Sequence, residues 1–363
     1  MAAPRPRENI LHIAAYVPGK ASLDGPGPAR VIKLSANEGA LGPSPKAVAA
    51  YREAAGEIWR YPDGASTALR AALGKRFGLD PDRLVCGCGS GDLLHLLALA
   101  YAGPGDEVIH SAHGFLLYPI AARSADAVPV AAAERDRTAS VDEILTRVGP
   151  RTRAVFIANP NNPTGTYVSA GELRRLRAGL RPDILLVIDA AYGEFARASD
   201  YSLGHELVDG GENTVIVRTF SKFFALAGLR LGWAHGPAPI VDVINRIRGP
   251  FNVALPTQVA AIAALEDMEF QARVKAHNDR WLPWTVDALR ALGLEVQDSQ
   301  ANFILVRFPA GAKNADAANA HMNAAGIIPR KVGAYGLPDS IRITIGTEAE
   351  MRAVRDALAA FMR

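Results

Sequence analysis

Two rhythms of apolar and polar positions divide this chain. Between about residues 45 and 250, short apolar runs alternate with stretches of helical period. Runs over 84–86, 107–110, 154–158, 184–188 and 214–218 predict strands. The last three are the strongest, and their near-continuous apolar character predicts burial on both faces, as in a parallel or mainly parallel sheet. Amphipathic stretches over 67–77, 93–102, 115–124 and 169–178 predict helices that supply the crossovers. After Pro256 the rhythm changes. A long helical pattern covers 257–291, with Pro283 expected to kink or break it. Strands are expected over 302–308 and 341–345, a helix over 315–325 between them, and a last helix from Glu348. The layout is α/β: a large domain (31–250) with a mostly parallel central sheet flanked by helices, then a smaller α+β domain (251–363). An N-terminal arm (1–30) precedes them, its Pro/Gly-rich 18–28 segment reading as a linker. There are no internal repeats or low-complexity tracts.

Composition narrows the class. The chain has 363 residues, 49% hydrophobic and 21% charged, with a formal net charge of +3 and no basic runs. Neither nucleic acid nor an anionic membrane is indicated as a partner. No apolar stretch approaches the roughly 20 residues that span a bilayer, and the N-terminus has no secretory pattern. Cys86 and Cys88 are too close in an extended segment for an easy disulfide, and no further ligands suggest a metal. A reduced, cytoplasmic protein is expected.

The candidate chemistry lies at the ends of the expected strands. Among eight lysines, Lys222 alone follows a strand directly, in Thr219-Phe220-Ser221-Lys222. A strand's C-terminal end faces the crevice where α/β proteins bind ligands; most lysines, by contrast, simply snorkel from loops. Asp189 ends the run Ile184-Leu185-Leu186-Val187-Ile188, where an aspartate either caps a helix or holds a pyridine nitrogen protonated. Tyr192 follows one turn later. Asn159-Pro160-Asn161-Asn162-Pro163-Thr164-Gly165 is a turn by composition, and Asn162 is placed to donate to a ligand oxygen. Gly87-Cys88-Gly89-Ser90-Gly91-Asp92 lets backbone approach an anion at a helix N-terminus. A dinucleotide site would need an acid about 20 residues on, and His110-Ser111-Ala112-His113 offers none. Arg230, eight residues after Lys222, suits a phosphate.

Taken together, these five elements resemble the fold-type-I pyridoxal-phosphate enzymes and, within them, the histidinol-phosphate aminotransferase family. The resemblance runs from Ile13-Ala14-Ala15-Tyr16-Val17-Pro18-Gly19-Lys20, through Tyr61-Pro62-Asp63, Asp189-Ala190-Ala191-Tyr192 and Ser221-Lys222, to Ile341-Arg342-Ile343-Thr344-Ile345-Gly346-Thr347. It implies that Lys222 carries pyridoxal 5'-phosphate as a Schiff base and moves the substrate's proton. Asp189 would pair with the ring nitrogen, Asn162 and Tyr192 would bond the phenolic oxygen, and Phe115, often Tyr in the family, would stack on the ring. Ser90 and Gly91 N–H groups, Thr219, Ser221 and Arg230 would hold the phosphate. Tyr61 would reach it from the neighbouring subunit of a homodimer. Arg342 would bind the substrate's anionic group, with Arg330 and Tyr16 assisting for a phosphate. Two motifs depart from the family: Gly-Asn-Gly-Ser-Asp-Glu is Gly87-Cys88-Gly89-Ser90-Gly91-Asp92 here, and Asn-Glu-x-Pro near the substrate entrance is Asn37-Glu38-Gly39-Ala40. The implied activity is ping-pong transamination between histidinol phosphate and 2-oxoglutarate, in histidine biosynthesis, with small molecules as partners. An aromatic amino-acid aminotransferase is the nearest alternative, then a threonine-phosphate decarboxylase. A cofactor sensor fused to a DNA reader ranks last, since no stretch is left over for the reader.

Overall fold

Seven strands form the central sheet: β1 (Leu84–Gly87), β2 (Glu107–Ser111), β3 (Val128–Ala132), β4 (Thr152–Ala158), β5 (Leu185–Asp189), β6 (Thr214–Thr219) and β7 (Gly232–His235), in spatial order β1-β7-β6-β5-β4-β2-β3. The computed structural model behind this description covers residues 4–23 and 31–363. Part of the expected arm and its linker, residues 1–3 and 24–30, lies outside them.

β4, β5 and β6 are buried along almost their whole length because helices cover both faces. Leu93, Leu97, Tyr118 and Ile244 pack on one face, Leu173, Leu176, Ile144 and Val208 on the other. All neighbouring pairs are parallel except those of β7, which is antiparallel to both β6 and β1. Ala158 therefore sits beside Asp189, Asp189 beside Val217, and Gly232 beside both Thr219 and Gly87. One sheet edge thus gathers the ends of β1, β4, β5 and β6. Crevices at such an edge are where open α/β sheets bind ligands.

A second sheet, wholly antiparallel, runs Glu295–Val296, Phe303–Arg307, Ser340–Thr344, Arg330–Lys331. Helices Ala315–Ala324 and Glu348–Met362 and the later part of Met268–Arg290 cover it with an aliphatic core. Thr347 starts the last helix with a capping box to Glu350, satisfying N–H groups the helix cannot. Packing crosses the boundary drawn at 250 in both directions. Ile32 and Leu34 join the second core, with Ile32–Lys33 pairing in parallel with Ile327–Ile328. Helix Leu255–Glu266 instead packs on Pro45–Glu53 and Thr67–Phe77.

Three local expectations are corrected. The long helix breaks at Asp267, whose side chain accepts from the Phe270 N–H and restarts the helix as Met268–Arg290. Pro283 stays inside it, although an interior proline costs about 3 kcal/mol, because Trp281, Leu282, Thr285, Val286 and Leu289 are buried around it. The helix expected from Leu93 begins at Ser90, after a Gly89 with φ 91°. The one expected from Phe115 begins at Leu117. β3 and β7 were not expected; β3 carries Pro129, which argues against a central strand and is tolerated at the sheet's edge, and β7 spends its four positions on Gly-Trp-Ala-His.

Candidate active site

Lys222 lies three residues beyond the end of β6. The Thr219 hydroxyl shapes the turn, donating to the Leu231 carbonyl (3.3 Å) and accepting from the Ser221 N–H (3.0 Å). Lys222 Nζ is aimed at the sheet edge and donates to the Ala36 carbonyl at 2.8 Å. Burial disfavours its charge, and the Arg342 and Arg230 guanidiniums add repulsion. Although Glu38 pulls the other way, the amine falls from 10.5 to about 7. A lysine so placed is substantially neutral near pH 7 and able to act as nucleophile or base.

Asp189 is 5% exposed at the end of β5. Tyr118 Oη donates to its Oδ2 (3.0 Å) and the Ala191 N–H to Oδ1 (3.2 Å). Burial still dominates and lifts the carboxyl to about 6, against the lowering effect of Tyr118, Ala191 and Lys222. Tyr192 is buried too, with its hydroxyl accepting from Asn37 Nδ2 at 2.9 Å. Burial pushes this phenol up to about 12, with Arg342 and the Asn37 bond opposing. Asn37 holds a left-handed backbone (φ 55°), fixed by its N–H to Thr344 Oγ1 (3.0 Å) and by Asn302 Nδ2 to its carbonyl (3.2 Å).

Asn162 meets Arg342: the guanidinium Nη1 donates to Asn162 Oδ1, and Nη2 to the Ser35 carbonyl at 2.8 Å. Arg342 lies over Phe303, 5.3 Å from the ring centre, is itself buried, and keeps a buried Nε with no partner. Desolvation lowers its pKa, yet a guanidinium remains charged. A buried cation with a spare donor is suited to an anionic ligand group.

The anion cradle is built by close backbone approach. No side chain caps the helix Ser90–Tyr101, so its first N–H groups are free. A Cβ on Gly232 would come within 2.2 Å of the Ser90 nitrogen, and one on Gly89 within 2.6 Å of Arg230 Nη2; only glycines bring the three together. Arg230 Nη1 donates to the Ala227 carbonyl (3.0 Å) and approaches Ser221 Oγ (3.4 Å). The helix start at Ser90, Arg230 and Ser221 are thus brought close together, with Thr219 beside Gly232 on the neighbouring strand. Cys86 and Cys88 are free thiols, and the described residues hold no cluster able to ligate a metal.

Comparison with known proteins fits this geometry. The family model for aminotransferase class I and II matches residues 29–358. This chain belongs to that family. It is 56% identical over 363 residues to a histidinol-phosphate aminotransferase of Paramagnetospirillum magneticum, covering 100% of this chain and 99% of that one. Identity is 54% to the Rhodospirillum centenum protein of the same name, over the full length of both. Among solved structures, histidinol-phosphate aminotransferase from Sinorhizobium meliloti in complex with pyridoxal-5'-phosphate superposes with a TM-score of 0.86 at 28% identity, covering 92% of each chain.

Pyridoxal phosphate is the cofactor of this aminotransferase, and the side chains suit it. A buried carboxylate, a neutralised lysine and an uncapped helix N-terminus beside an arginine are what its ring nitrogen, aldehyde and phosphate require.

Other expected residues lie further out. Phe115 stands edge-on to Tyr118 (6.0 Å between ring centres) and to Tyr16 (6.2 Å). Arg330 Nη2 donates to the Val17 carbonyl (2.7 Å), and beside Tyr16 and Arg330 opens a cavity of about 510 Å³. Tyr61 is 82% exposed and stacks on Phe251 at 4.6 Å, and among the described residues it joins none of this protomer's site. Sequence reading passed over Tyr118, Ala36 and Tyr335. Tyr118 carried a weak signal, an aromatic with a hydrogen-bonding tip in the stretch expected to form a helix from Phe115.

Proposed function

We propose that this aminotransferase interconverts histidinol phosphate and its oxo form, with glutamate and 2-oxoglutarate as the second pair. The observation that carries the proposal is the full-length identity of 56% and 54% to proteins named for that reaction. Arg342 and Arg330, on neighbouring strands in register with each other, supply the cationic pair that a phosphate, and in the second half-reaction a dicarboxylate, would engage.

Pyridoxal phosphate, when bound, supplies the carbonyl carbon that takes up amino groups and a ring that withdraws electrons. The chain's own residues do the rest. Ser90 and Gly91 N–H groups, Thr219, Ser221 and Arg230 would hold the phosphate. Asp189, ionised above about pH 6, would keep the ring nitrogen protonated, with Tyr118 orienting its carboxylate. Asn162 and Tyr192 would meet the phenolic oxygen, with Asn37 fixing the Tyr192 hydroxyl, and Phe115 would stack on the ring. Lys222, freed as an amine near pH 7, removes the proton from the substrate's α-carbon and delivers it again. Arg342, assisted by Arg330 and Tyr16, fixes the substrate by its anion. Tyr61, idle in its own protomer, would complete the partner's site in a homodimer. The setting is the cytoplasm, and no helix among the described residues is long and apolar enough to cross a membrane.

The test is to follow the cofactor's visible absorption in the purified holoenzyme while adding histidinol phosphate or phenylalanine. Bleaching by histidinol phosphate at far lower concentration supports the proposal. Preference for phenylalanine moves the enzyme to aromatic amino acids and overturns it.

A further inference from the structure

His113 lies outside every role assigned so far, yet it joins three separate segments around the site. It belongs to the loop Ser111-Ala112-His113-Gly114-Phe115, between β2 and the helix Leu117–Ser124. Its N–H donates to Glu134 Oε1 (3.0 Å), and its carbonyl accepts from Asn161 Nδ2 (3.3 Å), next to Asn162. Its ring Nδ1 lies 2.6 Å from the Tyr335 carbonyl in the second sheet's connecting turn Gly333–Tyr335. Only an N–H satisfies a carbonyl, so Nδ1 carries the proton. The fit is close: a Cβ on Gly336 (φ 79°) would stand 3.3 Å from the imidazole Nδ1 and Cε1.

What the imidazole holds is the Tyr335 turn. The Tyr335 ring is buried with Leu305, Val332 and Leu337, with Leu116 from the other side packed against them. Burial pushes its phenol up, and the nearby Arg342 guanidinium opposes that. Arg342 pairs across the sheet with Arg330, five residues before Tyr335. One hydrogen bond therefore ties the loop bearing Phe115 to the turn that borders the anion-binding arginines.

We propose that His113 is a positioning residue for substrate specificity: its Nδ1–H holds the Tyr335 turn against the cofactor-stacking loop and thereby sets affinity for the substrate's anionic end. It touches neither cofactor nor reacting atoms. The inference rests on the transamination reading above, because it assumes that Arg342 and Arg330 receive that anion.

The test compares wild type with His113→Leu and His113→Asn, as holoenzymes. Leucine fills the space without a donor, while the asparagine amide nitrogen falls close to where Nδ1 stood. Loss of one net hydrogen bond corresponds to about tenfold. His113→Leu should therefore raise KM for the phosphorylated substrate about tenfold, with kcat within about threefold and the cofactor absorption unchanged. His113→Asn should recover most of the KM. An unchanged KM in His113→Leu, an equal loss in kcat, or no recovery in His113→Asn overturns the proposal. Should His113→Leu fold poorly, His113→Ala, which also removes the donor, gives a second reading: a raised KM with kcat within about threefold supports the clasp, and an unchanged KM refutes it. A wild-type enzyme inactive on histidinol phosphate would refute the functional reading instead, and the same variants would then be compared on whichever anionic amino acid it does turn over.

Discussion

Replacing Asp189 by Asn should make the cofactor-free protein more stable while destroying its activity. Asp189 is buried, and its carboxyl is lifted from 3.8 to about 6 because burial penalises the ionised form more than Tyr118, Ala191 and Lys222 favour it. The sign follows from linkage. Below pH 3.8 both folded and unfolded states are protonated, and the group contributes nothing. Between 3.8 and about 6 the unfolded chain ionises first, so stability is lost as pH rises. Above about 6 both states are ionised and the full penalty remains. A shift of about two units at ~1.36 kcal/mol per unit gives about 3 kcal/mol. Asparagine carries no such penalty. Its Oδ1 can still accept from the Ala191 N–H, and the Tyr118 hydroxyl can rotate to accept from Nδ2. Imperfect geometry there returns about 1 kcal/mol.

Urea unfolding of cofactor-free wild type and Asp189→Asn measures this directly. The difference should be near zero or slightly against the variant at about pH 4, then grow to about 2 kcal/mol in its favour near pH 8. Saturating pyridoxal phosphate should reverse the order, since the native state of wild type alone gains the full binding energy. A difference independent of pH, or a cofactor-free wild type that is the more stable near pH 8, would refute the claim that Asp189 is held against its own desolvation.

Three further outcomes are expected. Reconstitution of the cofactor-free enzyme should speed up as pH rises towards about 7 and then level off, because neutral Lys222 is the nucleophile; Lys222→Ala should retain the cofactor by its phosphate through dialysis but show no turnover. Arg342→Lys, which loses the planar fork while keeping the charge, should raise KM for the anionic substrate about tenfold or more, with little change in the cofactor's spectrum in titration. Mixing inactive Lys222→Ala with an inactive Tyr61→Ala should restore up to ~25% of wild-type activity, since half the dimers become mixed and each has one intact site of two. No recovery after subunit exchange would deny Tyr61 its role across the interface.

The sheet and its edge were legible because the signal is local. Residues 154–158 and 184–188 are apolar without interruption and 215–217 continue the pattern between Thr214 and Arg218, as strands covered on both faces require, and Asp189 and Lys222 are the first ionisable groups beyond 184–188 and 214–218. The glycine loop was legible for the same reason, although its helix begins at Ser90. β3 and β7 were hidden, one because Pro129 interrupts a strand reading that only an edge position tolerates, the other because four residues cannot establish a period. Pro283 misled because its effect on a helix was weighed locally. The burial of Trp281, Leu282 and Leu289 outweighs it, while the break comes from the capping carboxylate of Asp267.

The same distinction separates the two halves of the site. Cofactor groups follow strands within a few residues: Asn162 after β4, Asp189 and Tyr192 at and after β5, Thr219, Ser221 and Lys222 at and after β6. Substrate-side groups meet through contacts between distant segments. Lys222 reaches Ala36 across 186 positions, Arg342 reaches Ser35 across 307, and His113 reaches Tyr335 across 222. No local pattern encodes such pairs, and Tyr335 in isolation reads as a core aromatic. The sheet edge can therefore keep one chemistry while the segment 34–39 and the 330–342 hairpin adjust what is held beside it. A change of substrate on this scaffold should then be found in Asn37, Tyr335, Arg330 and the loop of His113, with Asp189, Lys222 and Arg230 left as they are.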